Sequence, residues 1–136
     1  MNNSRFAISL HILTLLEKAK GELLSSEWIA GSININPVLV RKELGNLRSH
    51  GLVNSKEGKN GGSYLEKAAD QISLAQVYHA VKQDHLLGVS KNTPNPLCQV
   101  GKQINMHLNT LYDSTEQTLI SELSKQTLAD FSSKFI

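Results

Sequence analysis

The sequence predicts a mainly α fold with a small β wing: a winged helix-turn-helix followed by a long C-terminal dimerisation helix. Three observations carry this expectation. Residues 26–53, SEWIAGSININPVLVRKELGNLRSHGLV, read as a short helix, a tight turn and a longer helix. Residues 54–63, NSKEGKNGGS, form a polar, glycine-rich tip between two apolar stretches. From Leu97 onward, apolar residues recur in steps of three and four over about six turns of helix. The organisation expected is a winged-helix DNA-binding domain over residues 1–85, a linker over 86–96 and a helical dimerisation region over 97–136.

The first helix is expected from Ser4 to Lys20, with Phe6, Leu10, Leu13 and Leu16 on one stripe and Ile8, Ile12 and Leu15 widening it. Gly21 is a natural stop. Leu23-Leu24 is placed as a small strand that pairs with the wing. Ser26 is the expected N-cap of a helix from Glu27 to about Gly31, anchored by Trp28, Ile29 and Ile33. Trp28 gains most by packing, so it is expected in the core or at a dimer contact.

In Ile33-Asn34-Ile35-Asn36-Pro37 the asparagines suit a turn. Asn36 can accept from free amides of the next helix, and Pro37 fits its first turn, where no hydrogen bond is lost. From Pro37 to His50, Val40, Leu44 and Leu47 form the inward line, leaving Val38, Arg41, Lys42, Gly45 and Arg48 outside it. Gly45 costs about 1 kcal/mol relative to alanine in mid-helix. It marks either a close approach to the backbone or tolerated drift.

Gly51-Leu52-Val53 ends the helix and opens a strand, and Tyr64-Leu65 resumes the apolar pattern after the tip. Together they make a hairpin wing. No Gly-Lys-Ser/Thr ending leads from this tip into a helix, so it is not a P-loop. A helix follows over Ile72–Val81, with Ser73 and Gln76 as a capping box and Leu74, Val77, Tyr78 and Val81 inward. His85 to Pro96 breaks helical periodicity. The long helix carries Leu97, Val100, Ile104, Leu108, Leu111, Thr115 and Leu119 on one stripe, to meet a second copy or the first helix of its own chain. Thr127 caps a last short helix to Lys134, with Phe131 and Phe135 as apolar contacts.

Composition bounds the chemistry. The 136 residues are 40% hydrophobic, enough for one core, and the net charge is only +2. Charge is uneven, however. Between Asn34 and Tyr64 five cations (Arg41, Lys42, Arg48, Lys56, Lys59) face two anions (Glu43, Glu57), a local balance of +3. Such a patch on a nearly neutral body is compatible with DNA binding and equally with a solvated face. The single cysteine, Cys98, forms neither an internal disulfide nor a cysteine-rich metal site. No signal peptide or membrane-spanning stretch is read, so a cytoplasmic location is expected. Neither a nucleophile–base pair nor a paired-carboxylate pattern points to an enzyme. The histidines His11, His50, His79, His85 and His107 have no metal-ligand spacing.

In order and spacing, these pieces resemble the Rrf-two-type regulators, small bacterial winged-helix proteins that include iron–sulfur-cluster and nitric-oxide-responsive repressors. The resembling residues are Ser4-Arg5-Phe6-Ala7-Ile8, then Leu44-x-x-Leu47-Arg48-x-x-Gly51-Leu52-Val53-x-Ser55, then Gly58-x-x-Gly61-Gly62 and Leu65. Ile72-x-Leu74 and Thr127-Leu128-Ala129-Asp130 complete them. The resemblance implies that the second helix of the helix-turn-helix reads the major groove. Cluster-bearing members place three cysteines before the long helix; here only Cys98 stands. If it matches a middle cysteine, Ile104 holds the next ligand place, with His107 matching a histidine used by some members. If it matches the last, Gly101 holds that histidine's place. No iron–sulfur cluster, and no other cofactor, is therefore expected. In the wing, Glu57 stands where the family often has arginine, and Ser63 takes the usual tyrosine place.

Arg41 is the leading base-contact candidate, because its fork matches two acceptors of guanine and it lies near the helix N-terminus. Asn36, Lys42, Arg48, Lys56 and Lys59 are the expected phosphate contacts, and Val38 joins them on the exposed face. Cys98 is read either as an inert thiol packed at a helix start or as a redox sensor. The expected function is a bacterial transcriptional repressor, with double-stranded DNA as partner, that binds a pseudo-palindromic operator as a homodimer. The alternative is a winged-helix module that binds protein partners and not DNA, which Glu57 and the low net charge favour.

Overall fold

The computed structural model describes residues 4–83, 87–88 and 90–136. Helices α1 (Arg5–Lys18), α2 (Ser26–Ile33) and α3 (Pro37–Ser49) lead into a hairpin of β1 (Val53–Lys56) and β2 (Gly62–Leu65). A 3-10 turn, Ala69–Gln71, precedes α4 (Leu74–Val81), and α5 (Gln99–Ser124) and α6 (Leu128–Ser132) close the chain. The mainly α fold with a two-stranded wing is as predicted.

The core lies where α1, α3, α4 and α6 meet. Ile12, Leu13 and Leu16 of α1 pack with Val40 and Leu47 of α3, Val77 of α4 and Leu128 of α6, all buried. At the turn between α2 and α3, Asn34 takes a left-handed conformation with φ 64°. Asn36 accepts from the amide of Val38 at 2.8 Å, and Pro37 opens α3. The inward line Val40, Leu44 and Leu47 is buried as predicted. Gly51, with φ 75°, lets the chain leave α3 and enter the wing.

The wing is antiparallel, with Val53 opposite Leu65 and Lys56 opposite Gly62. Its irregular tip is shorter than the sequence suggested, spanning 57–61, because Asn54–Lys56 already pair in β1. Leu24 bridges Ser63 through two backbone hydrogen bonds of 2.8 and 3.1 Å, which fulfils the expected Leu23-Leu24 pairing as one bridge. Gly62 permits this approach, since a Cβ there would stand 2.7 Å from the Leu24 carbonyl oxygen.

Several local expectations are corrected. Helix α1 ends at Lys18, two residues early, with Lys20 and Gly21 in left-handed turns. Ser25, not Ser26, caps α2, accepting from the Trp28 amide at 3.1 Å, and α2 runs on to Ile33. Trp28 is 56% exposed and so is not a core residue of this chain. Leu97 precedes α5 and is 93% exposed, and Cys98 takes the N-cap position. Helix α6 stops at Ser132.

The capping box of Ser73 and Gln76 forms as predicted, and Thr127 and Asp130 make a second. The two boxes lie side by side. Ser73 and Thr127 form an antiparallel bridge, and the Leu128 amide donates to the Ile72 carbonyl at 2.7 Å. The chain's last helix is thereby drawn into the body. Helix α5 packs chiefly on α4, whereas one sequence reading allowed α1 as its main support. There Tyr78 Oη and Lys82 Nζ each donate to Glu116 Oε1 at 3.3 Å. The described residues between α4 and α5 form no helix or strand; the expected 85/86 boundary lies outside the described residues. No helix among the described residues is long and apolar enough to cross a membrane.

Candidate nucleic-acid interface

Helix α3 presents its polar face beside the wing. Val38, Arg41, Lys42 and Arg48 are exposed on it, and Lys56 and Lys59 are exposed on the hairpin. Between helix and hairpin runs an open cleft of about 380 Å³, lined by Ser25, Ser26, Arg41, Gly45, Arg48 and Lys56, with Glu57 at its tip side. A Cβ on Gly45, which lines the cleft, would meet nothing within 4 Å among the described residues, so no close approach to the backbone explains the glycine here.

The cations are held differently. Arg41 Nη1 donates to Glu27 Oε2 at 3.3 Å, across from α3 to α2. Arg48 Nη1 donates to Ser55 Oγ at 2.8 Å, which ties the helix to the first wing strand. Among the described residues, Lys42, Lys56 and Lys59 make no ion pair. Asn36 has its side-chain oxygen engaged as the α3 cap, leaving its side-chain amide for an outside acceptor. Lys59 sits at the hairpin tip, next in the chain to Gly58, which lines the cleft, but does not line the cleft itself.

Glu43 leaves the patch. It is 4% exposed on the inner side of α3, where Arg5 Nε donates to Oε2 at 2.9 Å and Nη2 to Oε1 at 3.0 Å. The Glu43 hydrogen bond, and secondarily its charge, push the Arg5 guanidinium further up. Of the two anions counted in the basic stretch, only Glu57 therefore faces solvent, although Glu27 of α2 brings its exposed carboxylate to Arg41. Sequence reasoning gave no role to Arg5, Glu27 or Ser55 in arranging these cations. Their partners lie far along the chain, 38 residues for Arg5 with Glu43, and no local spacing announces such a pair.

Cys98 is exposed rather than packed. Backbone amides of Gly101, and then Val100, at the start of α5 hold its thiol below the ordinary value.

Comparison with known proteins gives a consistent pattern. A family profile described as "Rrf2: Iron-dependent Transcriptional regulator" matches residues 2–134. The chain is 42% identical over 131 residues to YwnA of Bacillus subtilis (strain 168), which carries the name of an HTH-type transcriptional regulator, with 96% of each covered. A solved structure described as a DNA-binding protein superposes with a TM-score of 0.76 at 36% identity, covering 94% of this chain and 98% of that one. CymR (YrzC), the global cysteine regulator of B. subtilis, shares the fold with a TM-score of 0.69 at 22% identity, over 100% and 98% of the two chains.

The iron in that family description tests the donors available here. A protein-bound iron–sulfur cluster draws on several thiolates. This chain supplies one, Cys98. The described residues bring together no group of three His, Cys, Asp or Glu side chains around it or elsewhere. The donor set does not fit such a cluster.

Proposed function

Since this chain belongs to the Rrf2 family of transcriptional regulators, we propose that it is a repressor that binds a pseudo-palindromic operator as a homodimer. One observation carries the reading: the outward face of α3 sets Arg41 and Lys42 beside a wing bearing Lys56, with the competing carboxylate of Glu43 turned inward. In this reading Arg41 contacts guanine, and Asn36, Lys42, Arg48, Lys56 and Lys59 hold phosphates, with Val38 against the groove. The long helix α5 supports the dimer. It has no fully buried residue, and Val100 and Leu111 of its apolar stripe stand exposed within one chain. Two recognition helices one DNA turn apart, about 34–36 Å, then meet two half-sites.

An electrophoretic shift on the protein's own upstream region tests the proposal. Wild type shifts the duplex and Arg41→Ala loses at least tenfold in affinity, as expected for one bidentate base contact. With about three phosphates neutralised per protomer, log Kd changes with log salt at a slope of magnitude near 5. Glu57, exposed at the wing tip, favours the second reading, a protein-binding module, because a carboxylate there repels phosphate. No shift at low salt would select that reading.

A further inference from the structure

The geometry points to Glu27 as the positioning residue that aims Arg41 and makes its reading of DNA discriminating, an inference that rests on the base-contact role proposed for Arg41. Glu27 lies in the first turn of α2. Its Oε2 accepts from Arg41 Nη1 at 3.3 Å, and both side chains are more than half exposed. An ion pair so open to solvent stabilises a fold very little. Its consequence is directional.

A guanidinium offers two donor edges, one formed by Nη1 and Nη2 and one by Nε and Nη2. With Nη1 held by Glu27, the Nε–Nη2 edge stays free for the paired acceptors O6 and N7 of guanine. An arginine already held in place loses less side-chain freedom when it docks. Its fork also cannot swing to a neighbouring phosphate without abandoning Glu27.

The second consequence is electrostatic. The first turn of α2 favours an anion, through its free amides and the helix dipole. Glu27 places a carboxylate there, beside the cleft that also holds Arg48 and Lys56. That charge offsets Arg41 and weakens attraction to any phosphate backbone. It leaves intact the gain from a correct base. Glu27 thus gives up affinity for arbitrary DNA in exchange for discrimination.

The test uses the full chain as wild type, Glu27→Gln and Arg41→Ala. Each selects from a pool of randomised DNA duplexes at fixed salt. Dissociation constants are then measured for the selected duplex, its single-base variants and a random duplex. Arg41→Ala should erase the preference for guanine at one base pair per half-site. Glu27→Gln should weaken the preference at that same base pair about tenfold and leave the other positions unchanged. It should also tighten binding to the random duplex severalfold, with a steeper salt dependence. If Glu27→Gln tightens every duplex equally and keeps the preference at the Arg41 position, Glu27 is only a general repeller and the proposal fails. If wild type selects a sequence that Arg41→Ala selects equally well, the base-contact role of Arg41 fails instead, and the inference goes with it.

Discussion

The winged body and the long helix α5 carry the same helical spacing of apolar residues, yet they reach opposite states. In the body the stripe of α1 and the inward line of α3 disappear into a shared core, with Ile12, Leu13, Val40 and Leu47 inaccessible to solvent. In α5 the stripe is only partly covered: none of its 26 residues is fully buried, Ile104, Leu108 and Leu119 are half-buried, and Val100 and Leu111 are among the exposed large apolar side chains. The difference lies in the partners. The body's faces find one another within the chain. Helix α5 meets α4 through Tyr78, Lys82 and Glu116, rests Leu123 against the core, and leaves Val100, Met106 and Leu111 exposed. Periodicity states that a face must be covered; it does not say by what.

Truncating one side chain on each stripe should give the largest difference between the two regions. Leu47 is 0% exposed, and Leu47→Ala should lower the unfolding free energy by about 2–5 kcal/mol, read by urea denaturation. Leu111 is 56% exposed, and Leu111→Ala should change the unfolding of the dilute, dissociated chain by no more than about 0.5 kcal/mol. The same change should weaken self-association in sedimentation equilibrium. Comparable losses from both variants in dilute chain would mean that α5 is covered by its own body after all.

The next effect in size lies in the joint between α1 and α3. Arg5→Ala strands the Glu43 carboxylate on the inner side of α3 without its cation. The expected cost is about 3 kcal/mol, since removing one partner of a buried pair leaves an uncompensated charge. Replacing both, as Arg5→Met with Glu43→Leu, should recover most of that loss in the same denaturation experiment. A double variant no more stable than Arg5→Ala would show that the pair contributes geometry that apolar packing cannot replace.

Ser73 with Gln76, Asn36 with Pro37, and Gly51 were legible because each obeys a rule that closes within four residues. The inward line of α3 was legible because helical spacing alone divides its faces. Trp28 was not, because its burial depends on what stands opposite α2, and in this chain nothing covers it fully. The start of α5 was placed too early because Leu97 continues the apolar rhythm, whereas the Asn95 side chain accepts from its amide in the turn before the helix. Within the interface, the candidate cations were visible, and the residues that arrange them were not. Glu27, Ser55 and Arg5 act through contacts across elements, which no local pattern encodes.

The smallest effect expected is at the entrance to α5, where the thiol of Cys98 stands exposed as the helix N-cap. Amides of Gly101 and Val100 favour its thiolate and hold its pKa down. The sign follows directly. A lowered thiol pKa means that thiolate persists to lower pH than in an unfolded chain and is lost as pH falls through the lowered value. Alkylation rates measured against pH should therefore rise with a midpoint below about 8.5, the value of an unperturbed thiol. In urea-unfolded protein the midpoint should return to about 8.5. A low midpoint in the folded chain makes Cys98 the reactive form that oxidant sensing requires, at the junction between body and α5. An unshifted midpoint in both states would remove that role.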